Sequence, residues 1–368
     1  MSLFSVDILP IEKLEHHPNA DRLDVIFVGG YRCVVKRDIH AIGDKIVYIP
    51  TDAIMDYPMA VDLGIADYLV GKNKTRTKAQ KLRGVISEGI VLPLQVVIDY
   101  LDKKFGAGVV DFTAECNLAD LLNIKKYEEE TPVTMAGKIR NWPSFLGHYD
   151  IENIKRPENQ HIFIPLEEVV ATDKVHGSNM SVSWSITSPD DVFVCSRNNG
   201  LLEDDTNLFW KVAKKYNLIE KLQNLKELIQ DELFVTTLAD PEYIRQLTIW
   251  GELIAGQQDL KYGQSADNPG FYCFDIYLNG NPLSWESLKL VTTQLDIPLV
   301  PLVYRGPFIE STLLELTEQN TLLPGETLRE GLVIKPIIER TDPILGRVQL
   351  KLISGKYLTR RGDATEYH

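Results

Sequence analysis

The first hundred residues alternate short apolar runs with turn residues. Asp24-Val-Ile-Phe-Val28, Tyr31-Arg-Cys-Val-Val35 and Lys45-Ile-Val-Tyr-Ile49 are separated by Gly29-Gly30, Gly43-Asp44 and Pro50. Apolar runs with this punctuation predict strands, and strands so short and so spaced predict a small barrel or sandwich. A further strand pair within Gly84–Leu92 would complete the module before Pro93. From Leu94 to Tyr100, and again from Asn117 to Glu130, the pattern becomes helical and polar-edged. Pro132 stops it, because proline has no amide to donate and restricts the residue before it. The expected organisation is a β-rich unit over 1–100, a helical linker over 101–135 and a mixed unit over 136–368. In the last unit, Asn207–Tyr216 and Leu218–Glu232 have amphipathic helical patterns, while 248–254, 271–278 and 331–336 read as buried strands.

Composition narrows the class. Hydrophobic residues are 44% of the chain and charged residues 25%, as in an ordinary soluble globular protein. No segment approaches the roughly 18 consecutive apolar residues of a membrane span. Asp7, Glu12 and Glu15 interrupt any secretory leader, so no membrane association or secretion is expected. Cys33, Cys116, Cys195 and Cys273 are far apart, which argues against a zinc site or disulfide framework and for a reducing compartment, cytoplasmic or nuclear.

The net charge of −13 argues against a surface that attracts nucleic acid everywhere. One local exception is the run 71–83, which carries Lys72, Lys74, Arg76, Lys78, Lys81 and Arg83 with no acid. It is the best candidate for a phosphate-backbone contact. It is not a P-loop, since Gly71-Lys72 is followed by Asn73 and no glycine stands five residues before Gly71. The segment His17-Pro-Asn-Ala-Asp-Arg-Leu23, followed by a strand, resembles the opening of OB-type barrels such as the tRNA-binding domains attached to synthetases.

The chemistry gathers after residue 170. Ala171-Thr-Asp-Lys-Val-His-Gly-Ser-Asn179 presents Lys174 just before His176 and Gly177. Such a lysine can attack the α-phosphate of a nucleoside triphosphate and carry the nucleotide as a phosphoramide, with the glycine allowing backbone to approach phosphate. Val192-Phe-Val-Cys-Ser-Arg-Asn198 puts Arg197 at a strand tip, where a guanidinium can hold ribose or phosphate. Ile249-Trp-Gly-Glu-Leu-Ile-Ala-Gly256 delivers Glu252 on a strand, and Phe271-Tyr-Cys-Phe-Asp-Ile276 offers aromatics, Phe274 among them, to a base. Glu330-Gly-Leu-Val-Ile-Lys-Pro336 sets Glu330 and Lys335 at the ends of an apolar strand, and Val348-Gln-Leu-Lys-Leu-Ile-Ser-Gly-Lys-Tyr357 supplies Lys351 and Lys356. Each piece alone is weak, and their order is the signal.

That order resembles the covalent nucleotidyltransferase superfamily of ATP-dependent DNA ligases, RNA ligases and mRNA capping guanylyltransferases. Histidine at 176 followed by Ser178-Asn179 resembles the T4-type RNA ligases, and an OB-like module in front resembles a branch that joins 3′-hydroxyl to 5′-phosphate RNA ends. The resemblance implies an α+β chain: an OB-like β-barrel followed by an adenylyltransferase domain with antiparallel sheets and flanking helices. It further implies Lys174 as adenylate acceptor, Glu252 on the ribose, Phe274 on adenine, Glu330 organising Mg²⁺ or Mn²⁺ with Glu252 nearby, and Lys351 on the α-phosphate. His176, Gly177, Asn179, Arg197 and Lys335 fall at the nucleotide or the polynucleotide end. ATP is the expected substrate, the partner is RNA at nicked or broken ends or in an RNA/DNA hybrid, and a monomer is expected. One departure stands out: many relatives end on Lys-x-Lys, whereas here Gln349 precedes Lys351 and Ile353 follows it, leaving Lys356 to reach in from farther along.

Three alternatives share some of these features. A GTP-dependent capping-type guanylyltransferase uses the same lysine chemistry but usually carries its OB domain behind the transferase. A DNA ligase usually has aspartate where His176 stands. A non-catalytic OB-fold RNA-binding protein requires Lys174, Glu252 and Glu330 to be accidents of spacing.

Overall fold

Gly29 and Gly30 both sit at positive φ, 49° and 77°, the backbone that a two-residue primed hairpin turn needs. They join Leu23–Val28 to Tyr31–Lys36 in antiparallel register from Val28↔Tyr31 to Leu23↔Lys36. The structure is a computed structural model that describes residues 4–71, 73–108, 110, 112, 117–127, 139–230, 244–255 and 259–360.

In the front unit, Lys13–His16 completes one three-stranded sheet with that hairpin, while Asp7–Pro10, Lys45–Ile49 and Ile90–Pro93 form a second. The chain crosses between them just after Pro10. There Ile11 N–H donates to Asp44 O and Glu12 N–H to Phe27 O, both at 2.9 Å. Among the described residues no continuous ladder closes these strands into the expected barrel. Side chains occupy the place of ladder partners: Val34 N–H donates to Ser87 Oγ (3.0 Å) and Arg32 N–H to Glu88 Oε2 (3.4 Å). The segment His17–Leu23 is a fastening. His17 accepts from Asn19 N–H at Nδ1 and donates from Nε2 to Leu82 O (3.0 Å), while Asn19 Nδ2 donates to Arg83 O (3.0 Å).

The helix begun at Leu94 runs to Phe105 and buries Val97 and Leu101. The second expected helix, Asn117–Glu130, does not form over 117–127, which holds turns and a short strand, Lys125–Lys126, paired with Ala53–Ile54. Asn117 diverts the backbone: its Oδ1 accepts from Val6 N–H and Ala119 N–H, both at 2.9 Å, competing with helical bonding. Leu118 and Leu122 then bury in the front unit's core. Glu128-Glu129-Glu130 and Pro132 lie outside the described residues.

The second unit is two facing sheets. A seven-stranded antiparallel sheet runs in the order Ile139–Arg140, Gly200–Leu201, Ser188–Cys195, Ser178–Ser185, Gln246–Ile254, Gly270–Leu278, Asn281–Pro282. A five-stranded sheet runs Glu152–Asn153, Leu350–Ile353, Gly331–Pro336, Glu168–Lys174, Leu302–Pro307, with only its first pair parallel. Alternation sorts their side chains. Met180, Val182, Leu247 and Ile249 pack with helices Leu208–Lys215, Leu218–Gln230 and Trp285–Gln294 on the outer face of the larger sheet. Ala171, Leu332, Ile334, Leu350 and Leu352 form a core on one face of the smaller sheet. The remaining faces bring the polar motif residues together. Asn207 caps the first helix by accepting from Phe209 N–H (2.9 Å).

The units are closely docked. Lys155 Nζ donates to Glu88 Oε1 at 2.6 Å, and Ala79 belongs to the same buried cluster as Val175, Tyr262 and Tyr357. A Cβ on Gly30 would stand 2.6 Å from Lys155 O and one on Gly29 2.6 Å from Pro157 Cγ. Gly30→Ala therefore combines a left-handed backbone with a collision at the dock. We expect it to destabilise the chain by about 1–3 kcal/mol, read as a lowered melting temperature. A melting temperature equal to the parent's would show that the dock tolerates a side chain there.

Candidate active site

Lys174 is the last residue of strand Glu168–Lys174, paired with Gly331 of strand Gly331–Pro336. Glu330, just before that partner, receives a very short ion pair from Lys174 Nζ; their side chains are 10% and 0% exposed. One residue back, alternation turns Asp173 to the opposite face, where its Oδ1 accepts from Arg329 Nε at 2.7 Å and its Oδ2 from Leu322 N–H at 2.8 Å. Arg329 also donates to Leu316 O. The neighbours of Lys174 and Glu330 thus form a second buried pair behind the first, locking two strand ends in register.

From the seven-stranded sheet, Glu252 and Asn179 face this junction as a cross-strand pair. Burial is the largest influence on the Glu252 carboxyl, and with repulsion from Glu330 it outweighs Lys174 and pushes the group up to about 8. Burial would also raise Glu330, but Lys174 and His176 beside it hold it down at about 2. The two acids are therefore unlike at neutral pH, one largely protonated and one ionised. Gly177 has a role that its sequence context did not indicate: a Cβ there would strike Leu253 O and stand 2.7 Å from Glu252 Cγ. The glycine lets the lysine loop lie against the Glu252 strand.

Phe274 is delivered by a bulge. Trp250 pairs with Asp275 and Gly251 with Cys273, so Phe274 is the extra residue, and bulges re-aim side chains in this way. Its ring lies 4.8 Å from Tyr149. Lys335 is buried beneath it, donating to Phe274 O (3.0 Å) and Asp275 Oδ1 (2.7 Å). Burial would raise the Asp275 carboxyl, but Arg347 and Lys335 hold it at about 2. Lys351 is buried on Leu350–Ile353, opposite Val333 and on the same face as Lys174 and Lys335. Lys356 does not reach in; its Nζ donates to Glu318 O at 2.6 Å. Gln349 is buried and accepts from Tyr149 OH (2.9 Å) and Arg347 (3.1 Å). Asp275, Arg347 and Tyr149 were not singled out for chemistry from sequence. Asp275 stood beside Phe274 in a recognised motif, but nothing local marked the other two.

His176 is buried, its N–H donating to Tyr262 OH (3.1 Å) and its Nδ1 bonded to Tyr357 OH (3.0 Å) and 3.6 Å from Glu330 Oε2. It packs behind the lysine. Arg197 is half exposed and pairs with Asp150 at 3.0 Å. The basic run divides. Arg76 is buried, bonded to Asp52 and stacked 3.7 Å from the Tyr127 ring centroid, so it is a structural cation unavailable to a phosphate backbone. Lys74, Lys81 and Arg83 are exposed, Lys78 is half-buried, and Lys72 lies outside the described residues.

For a metal, the donors present are two carboxylates. Glu330 Oε2 is buried without a hydrogen-bond partner, an orphan that a cation would satisfy. Among the described residues no cluster of three or more His, Cys, Asp or Glu offers a complete ligand set. Few carboxylates with water and phosphate oxygens suit a hard cation of the Mg²⁺ or Mn²⁺ type.

Two outcomes follow from this electrostatics. Below pH 4.5 Glu252 is protonated whether folded or unfolded; as pH rises the unfolded carboxyl ionises first, and the native state loses stability up to about pH 8. Glu252→Gln should therefore gain melting temperature relative to the parent between about pH 5 and 8, and no further above that. A pH-independent difference would mean that Glu252 is ionised in the folded protein throughout. Arg329→Met leaves Asp173 buried without its cation, and chemical denaturation should show a loss of about 3–5 kcal/mol. A loss below about 1 kcal/mol would mean the pair does not hold the strand ends.

A model of the RNA ligase family matches residues 167–353, more than half of the chain, and an OB-fold domain model matches residues 5–94. No curated protein sequence matches. Among solved structures, a lysine-to-methionine mutant of Naegleria gruberi RNA ligase with AMP and Mn is 23% identical, with a TM-score of 0.75 over 96% of this chain and 97% of that one. A lysine-to-alanine mutant of the same ligase with ATP and Mn also gives 23% and 0.75, over 96% and 98%. The same ligase with pyrophosphate gives 23% and 0.73, over 97% and 98%. These likenesses establish a shared fold over nearly the whole chain, with an OB-fold unit in front of the antiparallel sheets. With the family match across every motif from Lys174 to Lys351, the chain belongs to the RNA ligase family.

Proposed function

We propose that this chain is an ATP-dependent RNA ligase that joins a 3′-hydroxyl to a 5′-phosphate through a lysyl-adenylate and an adenylylated 5′ end. The observation that carries the reading is Lys174 at the meeting of two sheets, in a very short ion pair with Glu330 and near Glu252 of the larger sheet, whose carboxyl burial pushes up. The ATP, AMP, pyrophosphate and Mn in the Naegleria ligase structures support the same substrate and metal type here.

In the first step the Lys174 amine forms a bond to the α-phosphorus as the bond to pyrophosphate breaks. The amine must be neutral to attack, so its partnership with Glu330 has to loosen. Glu330, with Glu252 nearby, would hold a divalent cation, which supplies Lewis-acid stabilisation of the phosphate charge when bound. Lys351 is placed to neutralise the α-phosphate from the same sheet face. Glu252 can donate to or accept from a ribose hydroxyl, since near pH 8 both of its forms are populated. Phe274 stacks on the base, and Asn179 Oδ1, buried without a hydrogen-bond partner, is available to nucleotide or RNA end. Lys335 acts through Phe274 O and Asp275, shaping the floor beneath the base. His176 orients the lysine loop, and Arg197 serves the nucleotide or the RNA end.

The second and third steps move adenylate to an RNA 5′-phosphate and expel AMP when the 3′-hydroxyl attacks. Lys74, Lys81 and Arg83 provide exposed cations for flanking backbone. The substrate is a nick or break in RNA, an RNA/DNA hybrid included, and the enzyme works as a monomer in the cytoplasm or nucleus. Among the described residues no helix is long and apolar enough to cross a membrane.

Incubation with α-labelled ATP and Mg²⁺ or Mn²⁺, followed by a denaturing gel, should label the protein, and Lys174→Ala should abolish the label. Label from GTP instead would move the reading to a capping-type guanylyltransferase. Absence of label with either nucleotide and either metal would remove the catalytic reading and favour a binding protein.

A further inference from the structure

The segment 142–153 precedes the region matched by the RNA ligase model and carries none of its motifs, yet it meets three residues assigned to the nucleotide site, Arg197, Phe274 and Lys351. Its start lies on the seven-stranded sheet, where Phe145 packs edge-on to Phe193 (5.3 Å) and Leu146 is buried. Its end is the strand Glu152–Asn153, parallel to Leu350–Ile353, with Asn153 opposite Lys351. Between them the chain crosses from one sheet to the other. At the crossing Asp150 holds Arg197 (3.0 Å), and the Tyr149 ring lies 4.8 Å from Phe274 and 5.2 Å from Trp250.

The Tyr149 hydroxyl is the fastening. It meets the Asp275 carboxylate of the larger sheet in a very short bond and lies 2.9 Å from Gln349 Oε1 of the strand leading into Lys351. Arg347 donates to both acceptors, to Asp275 Oδ2 at 2.7 Å and Gln349 Oε1 at 3.1 Å, and Lys335 closes the network from Asp275 to Phe274 O. Within this network Gln349 serves as a neutral acceptor. A lysine there would bring another cation against Arg347 and Lys335 and could not accept the tyrosine proton.

We infer that segment 142–153 is a strap that fixes the base end of the nucleotide site, and that Tyr149 is a positioning residue for ATP acting through Phe274, Asp275 and Gln349. This rests on the reading that Phe274 stacks on the base. An aromatic ring held by two sheets presents the stacking side chain in one orientation, and an unheld ring must be ordered by the incoming nucleotide, which weakens ATP binding without altering the lysine.

The test is the kinetics of lysyl-adenylate formation by the full chain at varied ATP. Tyr149→Phe keeps the ring and removes the hydroxyl; it should raise KM for ATP about five- to tenfold, the scale of one lost hydrogen bond, with kcat within about twofold. Gln349→Met removes the acceptor from the other side and should give the same split, whereas Gln349→Lys should lower kcat/KM below the parent. Phe274→Ala reads base stacking by itself. A raised KM there with no KM change in Tyr149→Phe and Gln349→Met would overturn the role of Tyr149 while leaving the stacking reading in place. An unchanged KM in Phe274→Ala would remove the stacking reading and, with it, the inference as stated. A fall in kcat with KM unchanged in Tyr149→Phe would also overturn it, since a general structural defect or a role in the chemistry gives that result. If Tyr149→Phe does not fold, the Gln349→Met split decides.

Discussion

The buried pair between Lys174 and Glu330 is the constraint on which the rest of the site depends. A lysine amine and a carboxylate withdrawn from water are costly unless each meets the other at close range, and here they do so at the ends of neighbouring strands. The register that brings them together is secured on the opposite sheet face by Asp173 and Arg329, 1% and 2% exposed. One ladder therefore carries two buried charge pairs, one facing the larger sheet and one sealed on the opposite face.

Around this junction, departures from regular sheet geometry position the other candidate side chains. The bulge at Phe274 turns an aromatic ring toward Tyr149 and leaves Asp275 opposite Trp250. Gly177 permits the lysine loop to touch the Glu252 strand, contact that any Cβ would prevent. The same crowding sets the electrostatics. Two buried carboxyls near one amine do not share its charge equally, so Glu330 is held ionised and Glu252 largely protonated. Two acids in different protonation states can take different tasks, metal or lysine partner for one and hydroxyl partner for the other.

The front unit is part of this construction. Ala79 lies in the buried cluster that holds Val175, Tyr262 and Tyr357, and a Cβ at Gly355 would meet Ile86 at 2.6 Å. Tyr357 in turn bonds His176, two residues from Lys174. The OB-fold unit thus presses on the second layer of the active site while its exposed lysines and Arg83 face outward. This accounts for the division of the basic run, in which Arg76 stabilises the unit from inside through Asp52 and Tyr127.

Much of the chain was legible from local pattern. Lys45–Ile49 and Gly331–Pro336 are strands bounded as their apolar runs indicated, Asn207 caps the helix it was expected to open, and the order of motifs from Lys174 to Lys351 led to the family. These features were readable because strand alternation, capping and motif spacing depend on a few consecutive residues. The turns and short strand of 117–127, the inward turn of Arg76, the capture of Lys356 by Glu318 and the joining of Tyr149 to Gln349 were not. Each is decided by a partner remote in the chain, up to 200 residues away for Tyr149 and Gln349. By itself the sequence picked out the side chains proposed to carry the chemistry. The tertiary structure decided which of them meet and in which protonation state, because burial and charge proximity exist only once distant strands have packed.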